Sequence, residues 1–75
     1  MEISLDKLGL GRLGVVTHID TDAYMKNRLR AFGMVPGTRV RCRYRSPGGS
    51  VTALELRGSV VALRTRDLQR IRVEG

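Results

Sequence analysis

From residue 39 to residue 45 the chain reads Arg-Val-Arg-Cys-Arg-Tyr-Arg, an unbroken alternation of arginine with Val40, Cys42 and Tyr44. Side chains of a β-strand point to opposite faces at each step, so a period of two gives one apolar face only when the segment is extended. The segment therefore predicts a strand with Val40, Cys42 and Tyr44 against a core and Arg39, Arg41, Arg43 and Arg45 in solvent. Successive arginines on that face stand about 6.5–7 Å apart.

Four further segments read as strands. Val15-Val16-Thr17-His18-Ile19 is β-branched and too short for a helix, while Leu54 and Leu56 alternate with Glu55 and Arg57. Val60–Arg64 is apolar with no decided inward face, and Ile71 and Val73 alternate with Arg70, Arg72 and Glu74. Turn residues separate them: Val35-Pro36-Gly37-Thr38 fits a type II turn, Ser46–Ser50 is loop chemistry, and Gly58-Ser59 permits a tight reversal. One stretch breaks the period. Met25, Leu29 and Phe32 fall at i, i+4 and i+7 behind the capping side chains of Asp20, Thr21 and Asp22, which predicts a short helix ending at Gly33. Ser4 is placed to cap a turn through Leu5–Leu8 ending at Gly9 and lying over the core.

Five strands in a chain of 75 residues cannot bury two separate sheets. The economical solution is a mainly β fold: a small SH3-like β-barrel of about five strands, with the helix between the first and second strands covering one open end. Residues 1–75 are expected to form a single domain. No apolar run approaches the length of about 20 residues that spans a bilayer, so no membrane insertion is expected. The start, Met1-Glu2-Ile3-Ser4-Leu5-Asp6, lacks the basic and apolar stretches of a signal peptide, and a cytoplasmic location is expected.

Catalytic chemistry has little to work with. His18 is the only histidine and Cys42 the only cysteine, with Cys42 on the predicted core face, where a thiol behaves as a small hydrophobe. Asp20 and Asp22 match the opening of a calcium loop, but Met25 stands where that loop needs glycine and Ala31 where it needs glutamate. Helix capping accounts for them better. Gly9, Gly11 and Gly14 form a GxGxxG pattern that leads into a strand and not a helix, so no nucleotide site follows. The chain is expected to be no enzyme and to hold no cofactor or metal.

Charge is the remaining signal. The net formal charge is +7, and residues 39–75 hold nine basic and three acidic groups against five and four in residues 1–38. Such a surface attracts acidic protein faces or phosphates. Twelve of the fourteen basic residues are arginine, so a solvated stripe that keeps the barrel soluble carries equal weight. Nucleic acid is the alternative partner, argued against by assigning Phe32 and Tyr44 to the core, which leaves Tyr24 as the one free ring for base stacking.

The succession Leu5-Asp6-Lys7-Leu8, Gly11, Gly14, Val16, Ile19, Arg28-Leu29, Gly33-Met34-Val35-Pro36-Gly37-Thr38 and Val40 resembles the ferrous iron transport protein A family. Pro47-Gly48, Gly58, Val61-Ala62-Leu63-Arg64 and Ile71-Arg72-Val73 extend the resemblance along nearly the whole chain. It departs from the family in having Phe32 before Gly33, in place of an aliphatic residue, and in lacking a proline near Ser50-Val51. The resemblance implies an SH3-like fold and a stand-alone, non-enzymatic accessory protein of bacterial ferrous iron uptake. Its implied partner is the membrane transporter, ferrous iron transport protein B, through a cytosolic part that includes a GTP-binding domain; the number of copies that assemble stays open. Arg39, Arg41, Arg43 and Arg45 are the expected contact stripe, with Met34, exposed beside Arg28, as the apolar anchor.

Overall fold

A computed structural model describes residues 1–75. Six strands, β1 (Glu2–Ser4), β2 (Leu13–Ile19), β3 (Arg39–Arg45), β4 (Val51–Leu56), β5 (Ser59–Arg64) and β6 (Ile71–Glu74), form one antiparallel sheet in the order β1-β6-β2-β3-β4-β5. Helix α1 (Ala23–Ala31) joins β2 to β3, and 3-10 turns occupy Leu5–Lys7 and Thr65–Arg70. All five expected strands are present. The sixth, β1, pairs Glu2, Ile3 and Ser4 with Glu74, Val73 and Arg72. Three residues are too few for an alternation to declare itself, and β1 moves the helix to between the second and third strands. Ser4 accordingly does not cap: it lies in β1 with its side chain making no cap bond, and the turn after it closes at Leu8, not Gly9. Between β5 and β6, Thr65–Arg70 forms a six-residue 3-10 segment that buries Leu68 completely.

The core is one cluster fed by every element but β1, whose Ile3 packs partly buried against it. Val16, Val40, Cys42, Leu54, Leu56, Leu63, Ile71 and Val73 come from strands, Leu29 from α1, and Leu5, Leu8 and Leu68 from the 3-10 turns. The inward face of β5, undecided by its sequence, is the one bearing Val61 and Leu63. Gly14 takes part by lacking a side chain, since a Cβ there would stand 3.3 Å from Cβ and Cγ2 of Val73 on β6. Close packing, not phosphate binding, accounts for that glycine.

Asp22 caps α1, its Oδ1 accepting from the Met25 amide at 2.8 Å. The helix lays Leu29 into the core with Met25 and Phe32 partly buried at its sides, as the i, i+4, i+7 spacing predicts. At its end the Met34 amide donates to the Leu29 carbonyl and the Gly33 amide to the Arg30 carbonyl, both at 2.9 Å, with Gly33 at φ 88°. This is the Schellman arrangement, in which the residue after the glycine folds back onto the helix. Met34 is therefore 1% exposed, and its expected role as a surface anchor is corrected. A Cβ at Gly33 would also lie 2.3 Å from Cδ of Arg57. Gly33→Ala should cost about 1–2 kcal/mol in urea denaturation, the left-handed backbone supplying most of it because the Arg57 side chain can move.

The type II turn is present at Val35–Thr38, closed by the Thr38 amide on the Val35 carbonyl at 3.0 Å with Gly37 at φ 97°. No atom lies within 4 Å of a Cβ built at Gly37. Gly37→Val should still lower stability by about 1–2 kcal/mol or more, from backbone strain alone. The β4–β5 reversal falls one residue earlier than expected, on Arg57 at φ 50° and Gly58 at φ 80°, with Leu56 pairing Ser59. Two successive positive φ values make the type I′ turn that matches strand twist.

Candidate protein-interaction surface

The arginine strand keeps its alternation through Arg43 and then loses it. Arg41 pairs Glu55 and Cys42 pairs Leu54, but the next partners are Tyr44 with Ala53 and Arg45 with Thr52, so β3 carries one extra residue at Arg43. Such a bulge slips the side-chain period by one. Tyr44, expected in the core, is 56% exposed, and Arg45, expected in solvent, turns inward and is half-buried. Nothing in the β3 sequence marks the slip. Its trace lies on β4, where Thr52 rather than Ala53 takes the buried place and bonds its hydroxyl to that of Thr65 at 2.8 Å.

Arg45 is a clamp. Its Nη2 donates to the Asp6 carbonyl at 2.7 Å and the Leu8 carbonyl at 2.8 Å, capping the first 3-10 turn from a strand far along the chain. Arg45→Ala would strand two carbonyls that a charged donor now satisfies, and a loss of about 1–3 kcal/mol in thermal or urea unfolding is expected.

Arg39, Arg41 and Arg43 remain on the exposed face of the sheet. Arg41 donates to the Gly11 carbonyl at 2.7 Å and Arg43 pairs with Glu55 at 2.9 Å, while Arg39 makes no ion pair. Exposed pairs of this kind hold little energy, so both guanidinium groups stay available to a stronger acceptor. Beside them on β2, Leu13 opposite Arg41 and Val15 opposite Arg39 are partly exposed. Leu13, Val15 and Tyr44 are the apolar members of this face that sequence reasoning missed. Arg28 is exposed on α1 and no hydrogen bond or ion pair ties it to the arginines of β3.

Further along the same outward face, in the row that runs from Arg39 through Val15 and Glu74 to β1, Glu2 gathers three partners. Its Oε2 accepts from the Thr17 hydroxyl at 2.5 Å and lies 3.6 Å from His18 Nδ1, and Oε1 lies 3.6 Å from Arg72 Nε. The Thr17 bond, helped by Arg72 and His18 against some desolvation, holds the Glu2 carboxyl below its ordinary range. A lowered folded-state pKa contributes stability at neutral pH that is lost as pH falls through that value. Thr17→Val should raise the Glu2 pKa toward the ordinary carboxylate value in an NMR titration. His18, Asp20 and Asp22 do not converge: Asp22 is engaged as the helix cap, and no three His, Cys, Asp or Glu side chains approach one metal-sized point.

The FeoA domain model matches residues 3–75. The chain belongs to the FeoA domain family. That family is linked to ferrous iron transport and is a non-enzymatic accessory domain. Among solved structures, the zinc-complexed FeoA of Stenotrophomonas maltophilia is 31% identical, with 99% of this chain and 89% of that one covered at TM-score 0.79. It is described as a prokaryotic SH3 domain protein, and a role as a ferrous iron transport activating factor has been suggested for it. A FeoA-like protein of Clostridium acetobutylicum is 27% identical over 97% of this chain and 85% of that one, at TM-score 0.86. A manganese-dependent transcriptional repressor shares the fold at TM-score 0.88 and 23% identity, this chain covering 41% of its length. No curated protein matches significantly. The fold is thus the expected mainly β, SH3-like one with one short helix, built from six strands where about five were expected. No helix is long and apolar enough to cross a membrane.

Proposed function

We propose that this FeoA chain is a single-domain cytoplasmic adaptor that docks on the cytosolic part of the membrane transporter ferrous iron transport protein B and adjusts its activity or assembly. The observation that carries the reading is the family match over residues 3–75, joined to a surface in which three arginines and three apolar side chains share one sheet face. Arg39, Arg41 and Arg43 would meet carboxylates of the partner, with Leu13, Val15 and Tyr44 as the desolvated centre that sets residence time. Arg28, on the helix, supplies a contact outside this face. Met34 and Arg45 act by holding the helix end and the first turn in place.

Pull-down from bacterial extract, with and without nuclease, tests the reading. The transporter should be recovered in both arms. Tyr44 on the arginine face gives the nucleic-acid alternative a ring it lacked in the sequence, and recovery of nucleic acid without transporter would establish that alternative instead. In this reading iron is the system's cargo and has no dedicated site on the chain. Anaerobic calorimetry with Fe²⁺ should give no stoichiometric isotherm, and a tight one-to-one isotherm lost on His18→Ala would contradict it.

A further inference from the structure

Strand β5 ends the sheet. It pairs with β4 from Val51↔Arg64 to Leu56↔Ser59, and its backbone makes no hydrogen bond to any other segment. Half of its amides and carbonyls therefore face outward without a partner. Edges of this kind are ordinarily blunted by proline, a bulge or charged side chains, and Ser59–Arg64 has no proline, no bulge and a single charge, Arg64, at its end. Ser59, Val60, Ala62 and Arg64 are exposed, Val60 at 61%.

The side chains beside this edge are ordered in rows. Arg41, Glu55 and Val60 form one row across β3, β4 and β5; Tyr44, Ala53 and Ala62 form the next; Val51 and Arg64 form the last. In the middle row two alanines follow the exposed tyrosine, so the surface is low between Tyr44 and the sheet edge. A strand added outside β5 would stand about 4.8 Å further on and continue each row. Its residue beside Ala62 can be large, laid over the alanines toward Tyr44. Its residue beside Arg64 can be a carboxylate that takes the exposed Arg64 guanidinium from the half-buried Asp67, now 3.8 Å from its Nε. Its residue beside Val60 packs best if β-branched.

We propose that the free edge of β5 takes an extended segment of a partner protein by antiparallel strand addition, reading carboxylate, large apolar and β-branched at alternate positions from its N-terminus. Antiparallel pairing continues the pattern of the whole sheet and is the more stable per residue. A second copy of this chain fits the edge poorly. Pairing β5 with itself places Ala62 on Ala62 and Arg64 beside Val60, leaves the shelf empty, gives Arg64 no acid, and joins two molecules of charge +7. Main-chain bonds supply affinity in this mode and the alternate side chains supply specificity.

The probe is a blocked heptapeptide, Thr-Glu-Thr-Phe-Thr-Val-Thr, titrated into the isotopically labelled protein and followed by amide shifts and hydrogen exchange. Saturable shifts and slowed exchange centred on β5 are expected. N-methylation of the peptide amides that face β5 should weaken binding by about tenfold or more while leaving the protein untouched. Arg64→Glu should weaken the acidic peptide and favour one with lysine in place of glutamate, a reversal that loss of fold would not produce. Absence of shifts on β5, or equal binding of the N-methylated peptide, would overturn the proposal. So would sedimentation of the free protein as a dimer with β5 amides already protected, because the edge would then belong to a second copy.

Discussion

Leu54→Ala is expected to remove about 2–5 kcal/mol of folding stability, the range for deleting a leucine side chain from a closed core. Leu54 is fully buried at the middle of β4, between Cys42 of β3 and Val61 of β5. It sits where the sheet is braced on both edges, so neighbouring strands cannot collapse far into the cavity. A chain of 75 residues holds roughly 4–11 kcal/mol in total, so the substitution brings the protein close to unfolding. Urea titration should show the midpoint falling at unchanged slope. Val60→Ala, on the adjacent strand but exposed, should change stability by no more than about 0.5 kcal/mol.

The second large effect is on association. Reversing Arg41 and Arg43 to glutamate lowers the net charge from +7 to +3 and puts acids where the proposed partner presents acids. The association rate with the transporter's cytosolic part should fall by about 10- to 100-fold at low salt, and the two proteins should converge as salt rises. Dissociation should change far less, because Leu13, Val15 and Tyr44 are intact. Surface plasmon resonance at two salt concentrations separates the two rates. Tyr44→Ala should do the converse, accelerating dissociation with association nearly unchanged. Arg45→Ala tests the division of labour on β3: melting temperature should drop while both rates stay near those of the parent.

The contrast between Arg43 and Arg45 shows what the sequence holds and where it stops. Period and turn chemistry located β2 to β6, the helix, its Asp22 cap and the Gly33 and Gly37 positions, because each depends on residues close together in the chain. A bulge depends on register between two strands. Arg-Val-Arg-Cys-Arg-Tyr-Arg looks the same with or without it, so the strand was legible and the last two side-chain directions were not. Met34 fails for a related reason. Its burial follows from the hydrogen bond it makes back to Leu29 around Gly33, and a methionine after a helix reads as exposed until that closure is seen. β1 escaped because its three residues earn their pairing from β6, at the opposite end of the chain. The candidate surface was accordingly half visible: the arginines stood out by charge, whereas Leu13, Val15 and Tyr44 depend on which face the folded sheet leaves open.

Docking on the transporter is measured most directly by fluorescence anisotropy of the labelled, nuclease-treated protein titrated with the purified cytosolic part of ferrous iron transport protein B. A saturable curve that weakens with salt, and weakens further for the Arg41→Glu, Arg43→Glu protein with its fold intact, is the expected result. A flat curve up to about 0.1 mM transporter fragment, or binding that ignores both salt and charge reversal, would contradict the adaptor account.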